Sequence, residues 1–94
     1  MERLTENDRG TFLVTTKSGT QHVWNITDDE VTVQRQPKRG GAHHPSMDNF
    51  TSEPYVAEVH TWPEVDFFFL NVIKDGDVPW TRSARIVSIE RLAV

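Results

Sequence analysis

Cysteine is absent from all 94 residues. That excludes a disulfide scaffold, a thiolate metal site and a cysteine nucleophile, and it agrees with a reducing cytoplasm. A basic excess is absent too: ten Lys and Arg stand against fourteen Asp and Glu, a formal charge of −4. A general nucleic-acid binder carries the opposite balance, so the charge favours a protein or a small molecule as partner. No long apolar run occurs. The longest, VDFFFLNVI at 65–73, falls far short of the ~20 residues needed to cross a bilayer. The opening MERLTENDRG is too polar for a signal peptide. There is no internal repeat and no long 3.6-residue period.

What is present reads as strands within one small domain. TFLVTTKS (11–18) is rich in β-branched and aromatic residues, and TQHVWNI follows it. Gly19 between them supplies a residue free to take positive φ, as a tight hairpin needs. In the second run His22, Trp24 and Ile26 share one face, with Gln21, Val23 and Asn25 on the other. TDDE (27–30) is a polar turn. VTVQR (31–35), YVAEVHTW (55–62) and ARIVSIERL (84–92) are further strands, the last with Val87 and Ile89 on one face. DFFFLNVI (66–73) is a continuous apolar run, the pattern of a strand covered on both sides. KDGD (74–77) is a second hairpin signal, and TEND (5–8) offers caps for one short helical turn. These signals predict an all-β fold: a small SH3-like or Sm-like barrel of five to six short antiparallel strands with a long central loop. Residues 1–10 form a flexible N-terminal segment in this reading, and 11–94 form the barrel domain. An OB-type barrel is disfavoured, because the Pro- and Gly-broken centre has no room for its usual helix.

The central stretch QRQPKRGGAHHPSMDNF (34–50) differs from its surroundings. Arg35, Lys38 and Arg39 make a local positive patch, to which His43 and His44 add charge at lower pH. Gly40 and Gly41 favour a mobile first half, whereas Met47 and Phe50 give the second half apolar groups to pack back onto the barrel. Adjacent histidines lack the i,i+2 or i,i+3/i+4 spacing at which a metal is gripped, and His22 and His60 lie on separate strands. The acids at 28–30 sit in a turn that gives no shielding for acid–base work. Ser18 and Ser46 have no base at a recognised spacing, and Gly40–Gly41 has no phosphate-loop context. No catalytic residue, cofactor or metal ligand is therefore expected. Two N-x-Thr triplets, at Asn25 and Asn49, are coincidental in a chain without a secretion signal.

The aromatics are numerous for so small a core. Phe68 cannot share a strand face with Phe67 and Phe69, so one set is expected to face outward, where Phe68 and Trp62 could meet a partner.

The ends of the chain carry a resemblance. Thr16, Ser18, Gly19 and Thr20, then Arg35 and Pro37, and finally Thr81, Ser83, Val87, Ile89 and Glu90 form a pattern similar to that of small uncharacterised all-β proteins of actinobacterial phages and their hosts. It covers both ends and not the middle. The resemblance implies a phage-type accessory protein, located in the cytoplasm of the host cell if phage-encoded, and brings no catalytic activity with it.

The expected function is therefore a non-enzymatic interaction module binding a host or phage protein, with self-assembly into a homo-oligomer as a sub-case. Its expected contact residues are Arg35, Lys38, Arg39, His43, His44, Trp62 and Phe68. The alternative is a small nucleic-acid-binding barrel that uses the basic central loop, with aromatics such as Trp62 as stacking surfaces.

Overall fold

The computed structural model describes residues 1–36, 54–74 and 80–93. They form a single antiparallel sheet of seven strands, with no helix among them. In chain order these are β1 (Gly10–Thr16), β2 (Gln21–Ile26), β3 (Val31–Gln36), β4 (Tyr55–Thr61), β5 (Leu70–Ile73), β6 (Trp80–Arg82) and β7 (Ile86–Ala93). Across the sheet the order is β6-β5-β4-β3-β2-β1-β7, so successive strands are neighbours except that β7 returns to lie beside β1.

Connection length forces the sheet to curl. In a flat sheet with strands about 4.8 Å apart, β6 and β7 would lie roughly 29 Å from one another. Only residues 83–85 join them, and the four Cα steps from Arg82 to Ile86 reach about 14 Å at most. The two edges must approach each other at that end. No ladder joins β6 to β7 among the described residues, however, so the expected barrel closure is not present as strand pairing.

The alternation read from β2 is realised. His22, Trp24 and Ile26 are buried, while Gln21, Val23 and Asn25 are more exposed. Phe12, Val14 and Thr16 of β1 fill the same face, with Val33 of β3 and Ala57 of β4. The first hairpin closes through Gly19, whose φ is 91°; the Thr16 amide donates to the Thr20 carbonyl at 2.9 Å. The second closes where the Thr27 amide donates to the Glu30 carbonyl at 3.0 Å. Thr27 Oγ1 accepts from the Asp29 and Glu30 amides, so one hydroxyl organises the whole polar turn.

Five expectations change. A seventh strand, β6, escaped the sequence because three residues are too few to show alternation. The run at 66–73 is a strand only from Leu70. Residues 65–67 are turn and bend, so Phe67 and Phe69 do not share a face: Phe69 is fully buried and Phe67 is 58% exposed. Nor is β5 covered on both sides, since Val72 is exposed. In β7, Val87 and Ile89 do not share a face either. The register steps from Thr15↔Ser88 to Thr16↔Ile86, so Val87 is the extra residue of a bulge and stands exposed. Ile86 and Ile89 take the core positions instead, as the added residue shifts the alternation.

The N-terminal residues pack on the sheet. Leu4 is buried, its amide donates to the Pro63 carbonyl at 2.9 Å, and the Val65 amide donates to the Glu2 carbonyl at 2.8 Å. TEND is a turn: the Thr5 amide donates to Asp8 Oδ2 at 2.7 Å, and the Asp8 amide donates back to the Thr5 carbonyl at 3.1 Å. Among the described residues no helix is long and apolar enough to cross a membrane. Most of KDGD and all of the central segment beyond Gln36, with the Met47 and Phe50 packing expected there, lie outside the described residues.

Candidate functional site

The sheet's two free ends meet at one place, and a cleft forms there. The chain leaving β4 turns at residues 64–67, where the Phe67 amide donates to the Glu64 carbonyl at 3.0 Å. Asp66 adopts a φ of 74°, the only non-glycine residue described with positive φ. Aspartate tolerates this region better than most residues, yet such a conformation costs on the order of 1–3 kcal/mol and persists only where the surroundings impose it. Here they do. The Asp66 amide donates to the Ile86 carbonyl at 2.8 Å, and the Ile86 amide donates to the Phe67 carbonyl at 2.7 Å. One turn further on, the Phe69 amide donates to Ser83 Oγ at 3.0 Å and the Ser83 amide donates to the Phe69 carbonyl at 3.1 Å. The Ser83 hydroxyl then donates to the Ala84 carbonyl at 2.8 Å, which fixes the bend between β6 and β7. The Lys17 amide ties the far side of this bend to β1 through the Arg85 carbonyl at 2.8 Å.

Between these stapled segments lies a solvent-open cleft of about 270 Å³, lined by Asp66, Phe67, Phe68 and residues 82–85. Sites that enclose drug-sized ligands run to roughly 300–1,000 Å³ and are concave. A smaller, open cleft suits one side chain or one ionic group.

Its charges are uneven. Arg85 donates to Asp66 Oδ1 at 3.0 Å, and both side chains are largely exposed. The Arg82 guanidinium lies 4.1 Å from the centre of the Phe68 ring and has no acceptor among the described residues. Two arginines against one aspartate leave one net positive charge in the cleft of a protein whose total is −4. Apolar groups stand beside it. Phe67 lines the cleft; Trp80, two residues before Arg82 and so on the same face of β6, is 57% exposed. Val72, the cross-strand neighbour of Trp80, is exposed as well.

The residues proposed from sequence are dispersed. Phe68 is in the cleft, as the platform for Arg82. Trp62 is half-buried, its ring 5.9 Å from that of Trp24, and so belongs to the core margin. Arg35 on β3 pairs in register with His22 on β2. Lys38, Arg39, His43 and His44 lie outside the described residues. Asp66, Phe67, Arg82 and Arg85 stand outside the residues to which the sequence points. Their sequence signals, an aspartate opening an aromatic run and two arginines three apart in TRSAR, mean nothing until the fold brings 66–68 against 82–85.

His22 is a second unusual group. It is buried, edge-on to Phe69 at 4.8 Å between ring centres. Burial, and then the charge of Arg35, lower its pKa from 6.5 to about 4, so it is neutral near pH 7. His60 is exposed on β4 and does not join it. Among the described residues no group of three His, Asp or Glu side chains is arranged to hold a metal ion. Tyr55 also titrates high because it is buried, despite the opposing hydrogen bond that its hydroxyl accepts from Asn71 Nδ2.

Comparison of the chain with family models, with curated proteins and with solved structures gave no match.

Proposed function

We propose that this protein is a non-enzymatic interaction module that binds a partner protein through the 66–68/82–85 cleft and the aromatics beside it. One observation carries the reading: Phe67 is held in water at the tip of a strained turn whose backbone is fastened on both sides. A solitary exposed apolar residue needs no explanation. An exposed phenylalanine on a backbone that resists collapse, with a second exposed ring close by and an arginine that has no acceptor among the described residues, has the composition of an interface anchor. The curled sheet serves as the rigid support, in the manner of a small SH3-like barrel. The resemblance at the chain ends makes a phage or host protein the partner class, in the host cytoplasm.

The nucleic-acid alternative has less support from the geometry. Trp62 packs against Trp24 and offers less of its ring for base stacking. A single arginine without an acceptor among the described residues would give only weak, salt-sensitive binding to a polyanion.

The test is selection of binders from a random dodecapeptide display library on immobilised protein. Wild type is expected to enrich a family of peptides that the Phe67→Ser/Trp80→Ser double variant does not retain. Both side chains are exposed, so each change should alter stability by no more than about 0.5 kcal/mol. Equal retention of the enriched peptides by the folded double variant would overturn the proposal.

A further inference from the structure

We infer that the cleft reads a carboxylate: its occupant is an extended peptide segment carrying an Asp or Glu two positions from an apolar residue, laid along β6. This deepens the interaction reading above and rests on it. The charged half of the argument starts at Arg82. Its guanidinium carbon lies over the Phe68 ring, 4.1 Å from the centre, and this cation–π contact holds the group beside the cleft. A planar fork with no acceptor among the described residues matches the two oxygens of a carboxylate. Arg85 does not compete for the ligand, because Asp66 already accepts from it. Asp66 in turn selects the charge of the ligand. One guanidinium without an acceptor among the described residues suits a monoanion, whereas the second charge of a phosphate dianion would find Arg85 already engaged by Asp66 and would add to the repulsion from a protein of net charge −4. For the same reason an anionic lipid surface is a poor occupant.

The apolar half of the argument comes from strand geometry. β6 has a hydrogen-bonded neighbour on one side only, β5, among the described residues. A strand with a free edge can accept an extended peptide, with main-chain bonds giving affinity and alternate side chains giving specificity. Trp80 and Arg82 are at i and i+2 and share one face, about 6.5–7 Å apart along the strand. A peptide strand presents its own i and i+2 side chains at the same spacing. Acid opposite Arg82 and apolar residue opposite Trp80 therefore fit together, and the reverse order does not. Phe67 lines the cleft at the other end, past Arg82, where its carbonyl accepts from the Ile86 amide, and adds a second apolar surface there.

The experiment sequences the peptides enriched by wild-type protein and measures the best of them by fluorescence anisotropy. The inference expects Asp or Glu two positions from an aromatic or branched aliphatic residue. Changing that acid to its amide should weaken binding about tenfold or more, the weight of one charge-assisted pair. Arg82→Gln should weaken the acidic peptide by a similar factor and leave the amide peptide nearly unaffected, so that the two losses do not add. Arg82→Lys, which keeps charge without the fork, should recover only part of the affinity. Peptides that depend on Phe67 and Trp80 but carry no enriched acid, or an acidic peptide that Arg82→Gln binds equally well, would overturn this inference while leaving the interaction reading intact. Failure to enrich any peptide dependent on Phe67 and Trp80 would overturn both.

Discussion

Trp24→Ala is expected to lower the unfolding free energy by about 3–5 kcal/mol, the cost of emptying a fully buried aromatic position. Trp24 is completely buried and central in the sheet, edge-on to Phe69 at 5.1 Å and tilted against Trp62 at 5.9 Å. Its removal would leave unsupported the side chain of Phe69, whose backbone is clasped by Ser83 on the cleft side. Trp80→Ala is the matched control. The residue type is the same, but Trp80 is 57% exposed on the opposite face of the sheet, and its loss should change stability by about 0.5 kcal/mol or less. Urea melts of both variants, read by circular dichroism, decide the point. Comparable losses at the two positions would mean that the buried face is not the one described. A domain of this size has a total stability on the order of 5–15 kcal/mol, so Trp24→Ala should consume a large fraction of it.

Acidification is expected to destabilise the fold through His22. The folded pKa is about 4 and the unfolded value 6.5, so the unfolded chain holds more protons at every pH between them. A histidine that must stay neutral in the folded state contributes fully above 6.5, and stability falls as pH drops through the window from 6.5 to 4. One pKa unit corresponds to about 1.36 kcal/mol, which gives a loss of about 2 kcal/mol at pH 5 and about 3 kcal/mol at pH 4. Carboxylates titrate toward the bottom of that range, so the histidine's share is isolated by comparison with His22→Phe. Phenylalanine keeps a ring against Phe69 and cannot be charged. Wild type should lose about 2 kcal/mol relative to the variant between pH 7 and pH 5. Parallel stability curves for the two proteins would mean that His22 is not held in the interior.

The parts of the fold that depend on neighbouring residues were legible in the sequence. The alternation at 21–26 divided β2 into its two faces, Ser18–Gly19 marked a hairpin and Thr27–Glu30 a polar turn, because each is decided within a few residues by side-chain alternation, φ freedom or a hydroxyl. What depends on partners far along the chain was not. The Val87 bulge is a register step of β7 against β1, and nothing in IVSIE marks it. The three phenylalanines look like one strand in sequence. The staples from 83–86 break that strand at Asp66 and place Phe67 outside, Phe68 under Arg82 and Phe69 in the core. The cleft was the least legible part for the same reason: it joins residues about sixteen positions apart across a curl that only the strand order reveals. The sequence drew attention to the basic centre at 34–50 instead, since charge clusters are visible without a fold.

Those two locations make opposite statements about where a partner sits, and one measurement separates them. Amide and side-chain NMR shifts of isotope-labelled protein are followed during titration with the best peptide from the display selection. The cleft account expects the largest changes at Phe67, Phe68, Trp80, Arg82 and Ser83, with the Arg82 side-chain Nε–H moving strongly downfield as it bonds a carboxylate. Large changes confined to Arg35 and residues 37–53, with the cleft resonances unmoved, would contradict it and return recognition to the central segment.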